Sequence, residues 1–469
     1  MTRRHIRFVF LGLALCAATG LGYGAYLLSH LVPIGTAYAA KTLCSGVFVT
    51  GRPAEEVIRE DVVADNHPLL RVVSMSVDAT RQLATVDFLG LAQRTAFYRP
   101  GLGCTLALGA PVTELRASSA FTAAPSTALP RGATEDLPSA SGRGIDKQKV
   151  SAVVDLAFLE PDPDRLQRTR ALLVLYEGRV IAERYAPGFS AQTPLPGWSM
   201  TKSVTGVLIG ILVHAGKVAP EQKDLLPQWG SEGDKRGAIT LDQLLRMTSG
   251  LRFTENYGDP DADVAQMLFA RADAAAFAID KPLEFPPGVR WRYSSGTSNI
   301  LSRVLRLAVG GSTEDYLEFP RRMLFGRVGM KSAVIETDAA GNFLASSYMY
   351  ASARDWARFG QLLLQDGVWH GERILPAGWV QYMATLTPQS MRHDFGAHLW
   401  LKIPPPFDDP TKTLPPLPPD LFHAVGYEGQ FVSVIPSRRL VVVRLGLSRR
   451  DHAWNHHAFL VRLLDALPQ

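Results

Sequence analysis

Two strand-turn-strand signals at opposite ends of one long segment constrain this fold more than any other feature. Leu172 to Tyr176 and Arg179 to Tyr185 are β-leaning runs that meet at Glu177-Gly178. Far along the chain, Gln430 to Ile435 and Leu440 to Leu445 form a second such pair across Ser437-Arg438-Arg439. Between them, from about 199 to 400, helical spacing and loops dominate, as in Leu241 to Met247 and Ala353 to Leu364. A last helical stretch runs from about His452 to Leu467. Strands at both ends with a helical middle predict one antiparallel sheet built from both termini and flanked by helices. That is an α+β layout, unlike the alternation of a doubly wound sheet. No internal repeat is present.

Ahead of this domain, placed at 149–469, lies a small β-rich unit over 41–109. Within it Val72 to Val77 and Leu83 to Phe88 flank a turn at Ala79-Thr80-Arg81-Gln82. Residues 110–148 turn rich in Ala, Ser, Thr, Pro and Gly and read as a linker. Residues 1–40 read as an export segment. Arg3, Arg4 and Arg7 precede an uncharged stretch from Phe8 to Leu28, long enough for one membrane crossing with the arginines inside. Two readings stand. An uncleaved anchor leaves the domain in the periplasm or outside the cell, and a cleavable signal, for which Ala37-Tyr38-Ala39 is a fitting site, releases it. The distance of that site from the apolar run favours the anchor. In an oxidising compartment Cys44 and Cys104 are expected to pair, closing a loop of about 60 residues worth about 4 kcal/mol. Cys16 falls in the apolar stretch.

The chain has 469 residues, 46% hydrophobic and 20% charged, and a net charge of +5. This is a globular composition, and no Lys/Arg block with interleaved aromatics points to nucleic acid. The chemistry centres on Ser199-Met200-Thr201-Lys202, which opens an apolar run from Val204 to Ala215. On a helix, positions i and i+3 share a face. A serine hydroxyl needs a neighbouring base to become a nucleophile, and a lysine serves if burial strips its proton. A helix start at Ser199 also favours the negative charge that develops in acyl transfer. Arg292-Tyr293-Ser294-Ser295-Gly296 supplies a tyrosine; a lowered pKa beside an ammonium would make it a second base and then an acid. Ala424-Val425-Gly426-Tyr427-Glu428-Gly429-Gln430 leads into a strand, with glycines that let backbone N–H groups approach a carbonyl.

Taken in order, these segments resemble the serine β-lactamase and penicillin-binding-protein superfamily, and within it the class C-like branch of esterases, D-amino-acid peptidases and aminohexanoate-oligomer hydrolases. Leu244-Leu245-Arg246-Met247-Thr248-Ser249-Gly250-Leu251 and Phe285-Pro286-Pro287-Gly288 are similar to further family segments. The resemblance covers about 150 to 465. It implies an α/β sandwich with a helical subdomain, a site between them, and neither metal nor cofactor. It implies Ser199 as the acylated nucleophile, Lys202 as its base and Tyr293 as the second acid/base. The backbone N–H groups of Ser199 and Tyr427 would form the oxyanion hole, with Ser295 and Gly426 at the substrate. His423, just before Ala424, has two open readings: a hydrogen bond to substrate or packing at a strand start.

Two departures bear on specificity. Ser295 replaces the asparagine of the family's Tyr-x-Asn, and Ala424 stands where β-lactamases carry the lysine of Lys-Thr-Gly. Losing that cation weakens recognition of penicillin-like carboxylates. The expected substrate is therefore a small-molecule or peptide-like ester or amide. Two alternatives remain: a catalytically silent envelope protein that binds peptidoglycan fragments or a protein partner, and a D,D-peptidase. The sequence does not indicate an oligomeric state.

Elsewhere the bland readings prevail. Asp259, Asp261 and Asp263 alternate like a calcium loop, but Val264 and Ala270 occupy the glycine and glutamate positions. The acidic loop from Glu255 reads as solvated, though able to border a cleft. His456-His457 reads as a solvated helix face. There is no Gly-x-Ser-x-Gly elbow, which argues against an α/β-hydrolase.

Overall fold

The computed structural model describes residues 3–118, 137–139, 144–408, 411 and 413–468. Most of the expected linker lies outside them. A long N-terminal helix, α1 (Arg3–Tyr26), runs through a π-helical turn into α2 (Val32–Phe48). A four-stranded antiparallel meander follows, β1 (Ser74–Asp78), β2 (Leu83–Phe88), β3 (Leu91–Arg99) and β4 (Gly103–Leu106). The β1–β2 hairpin turns where the sequence places it, with Asp78 opposite Leu83. Cys44 on α2 is bonded to Cys104 on β4.

The main domain opens with α3 (Lys147–Ala157), β5 (Thr169–Tyr176) and β6 (Arg179–Tyr185). Its middle carries α4 (Met200–His214), α5 (Asp263–Phe269), α6 (Ser295–Val309) and α7 (Ala353–Leu364). It closes with β7 (Phe422–Gly426), β8 (Gln430–Ile435), β9 (Leu440–Gly446) and α8 (His456–Asp465). The sheet order is β7-β8-β9-β5-β6, antiparallel throughout, and the β9–β5 pairing joins the two ends of the domain. This is the α+β architecture expected from the separated hairpins.

Strand alternation sorts side chains into two cores. Leu172, Val174, Phe431 and Val442 face Val150 on α3 and Leu460 on α8. Ala171, Leu173, Val432 and Val441 face the opposite way, into the larger core that holds α4 and α7. Gly360 on α7 permits that contact, because a Cβ there would lie 2.4 Å from a Val441 methyl. Met200 to Leu212 of α4 are all buried, which accounts for a helix apolar on every side.

The N-terminal region is docked on the main domain. Lys41 on α2 pairs with Glu336 at 2.6 Å, both fully buried, and Glu336 also accepts from Ser45 Oγ and the Cys104 amide at 2.7 Å. Arg170 reaches Asp61 at 2.6 Å, and Arg449 donates to the Ala64 carbonyl at 2.6 Å. Ala37, Ala39 and Ala40 are completely buried inside α2. The Ala37-Tyr38-Ala39 site is thus inside a packed helix. His456 departs from its expectation: it is buried and stacked on Phe431 at 3.7 Å.

Candidate active site

Three backbone features place Ser199. Residues Leu195–Pro196 pair with Met349–Ala351, and the Gly197 amide donates to the Met349 carbonyl at 2.8 Å. Trp198 then adopts φ 47°, a left-handed conformation unusual for a bulky residue, and turns the chain sharply into α4. Its indole N–H is held by Glu428 at 2.8 Å, and Glu428 is in turn paired with Arg449 at 2.7 Å. Ser199 occupies the N-cap position of α4, yet its side chain caps no backbone amide. That forgoes about 1 kcal/mol of capping and leaves the hydroxyl for other work.

The hydroxyl instead accepts from Lys202 Nζ at 3.0 Å. Lys202 is buried, and its two other acceptors are Ser295 Oγ at 3.1 Å and the Ser346 carbonyl at 2.9 Å. Burial lowers the pKa of the ammonium to about 8, partly opposed by the negative charge of Glu255. A large share is therefore neutral in mildly alkaline solution. Tyr293 sits in the turn before α6, whose N-cap Ser294 accepts from the Thr297 amide at 3.1 Å. Lys202 Nζ lies 4.8 Å from the Tyr293 ring centre, and Tyr293 borders the same cavity as Ser199.

The direction of the Tyr293 shift differs from the expectation. Burial and the nearby Glu255 charge raise its pKa, so the phenol keeps its proton at rest. Of the two groups beside Ser199, Lys202 is the one whose surroundings favour loss of its proton.

Ser295 is fully buried and joins Lys202 to Glu255, accepting from the former and donating to Glu255 Oε1 at 2.5 Å. Glu255 Oε2 also accepts from the Ser295 amide at 2.8 Å. The loop read as solvated thus carries a carboxylate into the site. Gly426 ends β7 against the turn that leads into Ser199: a Cβ there would fall 2.1 Å from the Gly197 carbonyl oxygen. Tyr427 follows, its ring 5.9 Å from Trp198, and it shares one cavity with Ser199 and Tyr293.

His423 is not brought to that cavity. Its side chain projects from the opposite face of β7, where Nδ1 meets Ser433 Oγ at 2.8 Å and that hydroxyl meets His456 Nε2 at 2.8 Å. Burial lowers the pKa of His423 to about 3, so it is neutral. Among the described residues no cluster of His, Cys, Asp or Glu could hold a metal ion.

The cavity measures about 450 Å³. Glu255, Tyr257, Trp198 and Ser347 border it together with Ser199. The far wall comes from the N-terminal region, a contribution that sequence reasoning missed.

The chain matches the family model described as Beta-lactamase over residues 164–462. It is 28% identical over 236 residues to a 6-aminohexanoate-dimer hydrolase of Paenarthrobacter ureafaciens, covering 47% of this chain and 59% of that protein. The match therefore spans little more than half of the relative's length. Among solved structures, a Bacillus anthracis protein provisionally named a 6-aminohexanoate-dimer hydrolase superposes with TM-score 0.55 at 21% identity, over 71% of this chain and 89% of that one. EstCE1, described as a hydrolase with promiscuous acyltransferase activity, gives TM-score 0.52 at 15% identity, over 68% and 97%. Both likenesses concern the fold.

Proposed function

Because this chain belongs to the Beta-lactamase family, we propose that it is a serine hydrolase that cleaves an ester or amide through an acyl-enzyme on Ser199. The observation that carries this reading is the 3.0 Å contact between Ser199 Oγ and a buried Lys202 whose pKa is lowered to about 8. Neutral Lys202 takes the hydroxyl proton as Oγ bonds to the substrate carbonyl carbon. The backbone N–H groups of Ser199 and Tyr427 receive the oxyanion. As the tetrahedral intermediate collapses, the bond to the leaving alcohol or amine breaks. The leaving group takes a proton from Tyr293, which Lys202 replenishes. Water then adds to the acyl carbon, giving a proton back through the same pair, and the acid departs as Ser199 regains its hydrogen.

Position 424 is a buried alanine, and no Lys or Arg borders the cavity among its described residues. A neutral ester or amide suits such a lining better than a penicillin-like carboxylate. The intact Ser199, Lys202 and Tyr293 set, open to a cavity, weighs against a silent binding role. Chromogenic esters and anilides test the proposal: Ser199→Ala should abolish their turnover, and retained turnover would rule the mechanism out.

The same reading includes an N-terminal membrane anchor. The stretch Leu11–Phe48 contains a segment apolar enough to cross a membrane, and Leu11, Leu13 and Leu15 are exposed. Burial of Ala37 and Ala39 within α2 disfavours cleavage there. The anchor would hold the hydrolase domain, 149–469, on the outer side of the inner membrane, with the disulfide-bonded segment 41–109 against it.

A further inference from the structure

The cavity at Ser199 has an apolar far end, and that end is made by the segment that leaves the proposed anchor. Leu31 and Ile34 at the start of α2, with Leu69 and Leu70 from the turn before β1, face Ala265 and Phe269 on α5. Leu70, Ala265 and Phe269 are buried, and Tyr38 closes against Phe269 edge to face at 5.9 Å. Glu255 and Tyr257 stand at the Ser199 end, and Asp65, Asn66 and His67, just ahead of Leu69, add polar groups to the N-terminal wall. A site with one reactive polar end and one apolar end selects a ligand with the same division.

Its position adds a second constraint. The apolar run is first broken at Ser29-His30, and Ile34 follows Leu28 by six residues, about 9 Å along a helix. His30, between them, pairs with Asp261 at 2.6 Å and so ties the emerging helix to the loop that carries Glu255 and Tyr257. Exposed Tyr23, Tyr26 and Leu28 mark the end of α1, the composition of a membrane–water interface. The cavity therefore opens within about two helical turns of the bilayer surface.

We infer that the substrate is a membrane-borne amphiphile, an acyl ester or acyl amide whose chain lies between α2 and α5 with its carbonyl at Ser199. This rests on the hydrolase reading above. The N-terminal region then serves as the wall of the acyl site, which explains why it is pinned to the catalytic domain by buried ion pairs.

The test uses the full chain in detergent micelles or nanodiscs with p-nitrophenyl acetate, butyrate, octanoate and dodecanoate. Hydrolysis of octanoate should exceed that of acetate by about tenfold or more in kcat/KM, since each buried methylene favours binding. Leu70→Trp, which fills the apolar end, should lower the octanoate-to-acetate ratio by about tenfold. The wild-type series stands by itself if that variant does not fold. A preference for acetate that Ser199→Ala abolishes would overturn the acyl-site inference and leave the hydrolase reading intact. Absence of Ser199-dependent turnover on every ester would overturn both.

Discussion

Lys202 and Glu255 meet on a single hydroxyl: Ser295 Oγ accepts from Lys202 Nζ at 3.1 Å and donates to Glu255 at 2.5 Å. Lys202 is thus held by a serine that is itself oriented by a carboxylate. In the resemblance the Ser295 position belongs to an amide, which can donate and accept at once. A lone hydroxyl has one proton, and Glu255 fixes where it points.

The carboxylate also favours charged Lys202 and so raises its pKa against the effect of burial. Glu255→Gln removes that charge and should move the acidic limb of the kcat/KM profile to lower pH, because Lys202 then loses its proton more readily. A limb displaced to higher pH would show that Glu255 does not act on Lys202 through its charge.

The proposed mechanism requires neutral Lys202 in the active form. With its pKa lowered to about 8, the neutral fraction rises about fivefold between pH 7 and pH 8 and levels off above. Activity should follow that curve upward with pH. Lys202→Ala should lose on the order of 10²–10⁴-fold and abolish the limb. A flat profile across this range would place the base elsewhere.

Gly426 adopts φ −128°, open to any residue, so what excludes a side chain there is space. Its Cβ would fall 2.1 Å from the Gly197 oxygen, separating β7 from the turn that holds Ser199. Gly426→Ala should lower kcat on the order of 10²-fold by displacing the Tyr427 amide, and should also lower the thermal transition because backbone must move to relieve the clash. Full activity in that variant would remove Tyr427 N–H from the oxyanion hole.

Glu336→Ala leaves Lys41 buried without its partner and should destabilise the fold by about 3–5 kcal/mol. Equilibrium urea unfolding measures this directly. A change under about 1 kcal/mol would mean that α2 docks independently of the pair.

The sheet was legible because hairpin pairing is local. On β8, Phe431 and Val432 point toward two different cores, and that alternation is written in consecutive positions. The same rule could have placed His423 correctly, since Ala424 faces α4 and its neighbour must face away. The Ser199, Lys202 and Tyr293 segments were readable from motif order. Glu255 was not, because its partner Ser295 lies 40 residues on and only the folded loop unites them. The far wall was hidden for another reason. Residues 32–40 are small and apolar, a composition shared by signal segments and by tightly packed helices such as α2. Burial of His456 depended on the stacked Phe431 ring, contributed from a different element.

Intact-mass analysis of the full chain after reaction with a fluorophosphonate, followed by peptide mapping, tests acyl transfer through Ser199 most directly. The expected result is one adduct, located on Ser199 and lost in Ser199→Ala. An adduct on another residue, or none on folded wild-type protein, would contradict it.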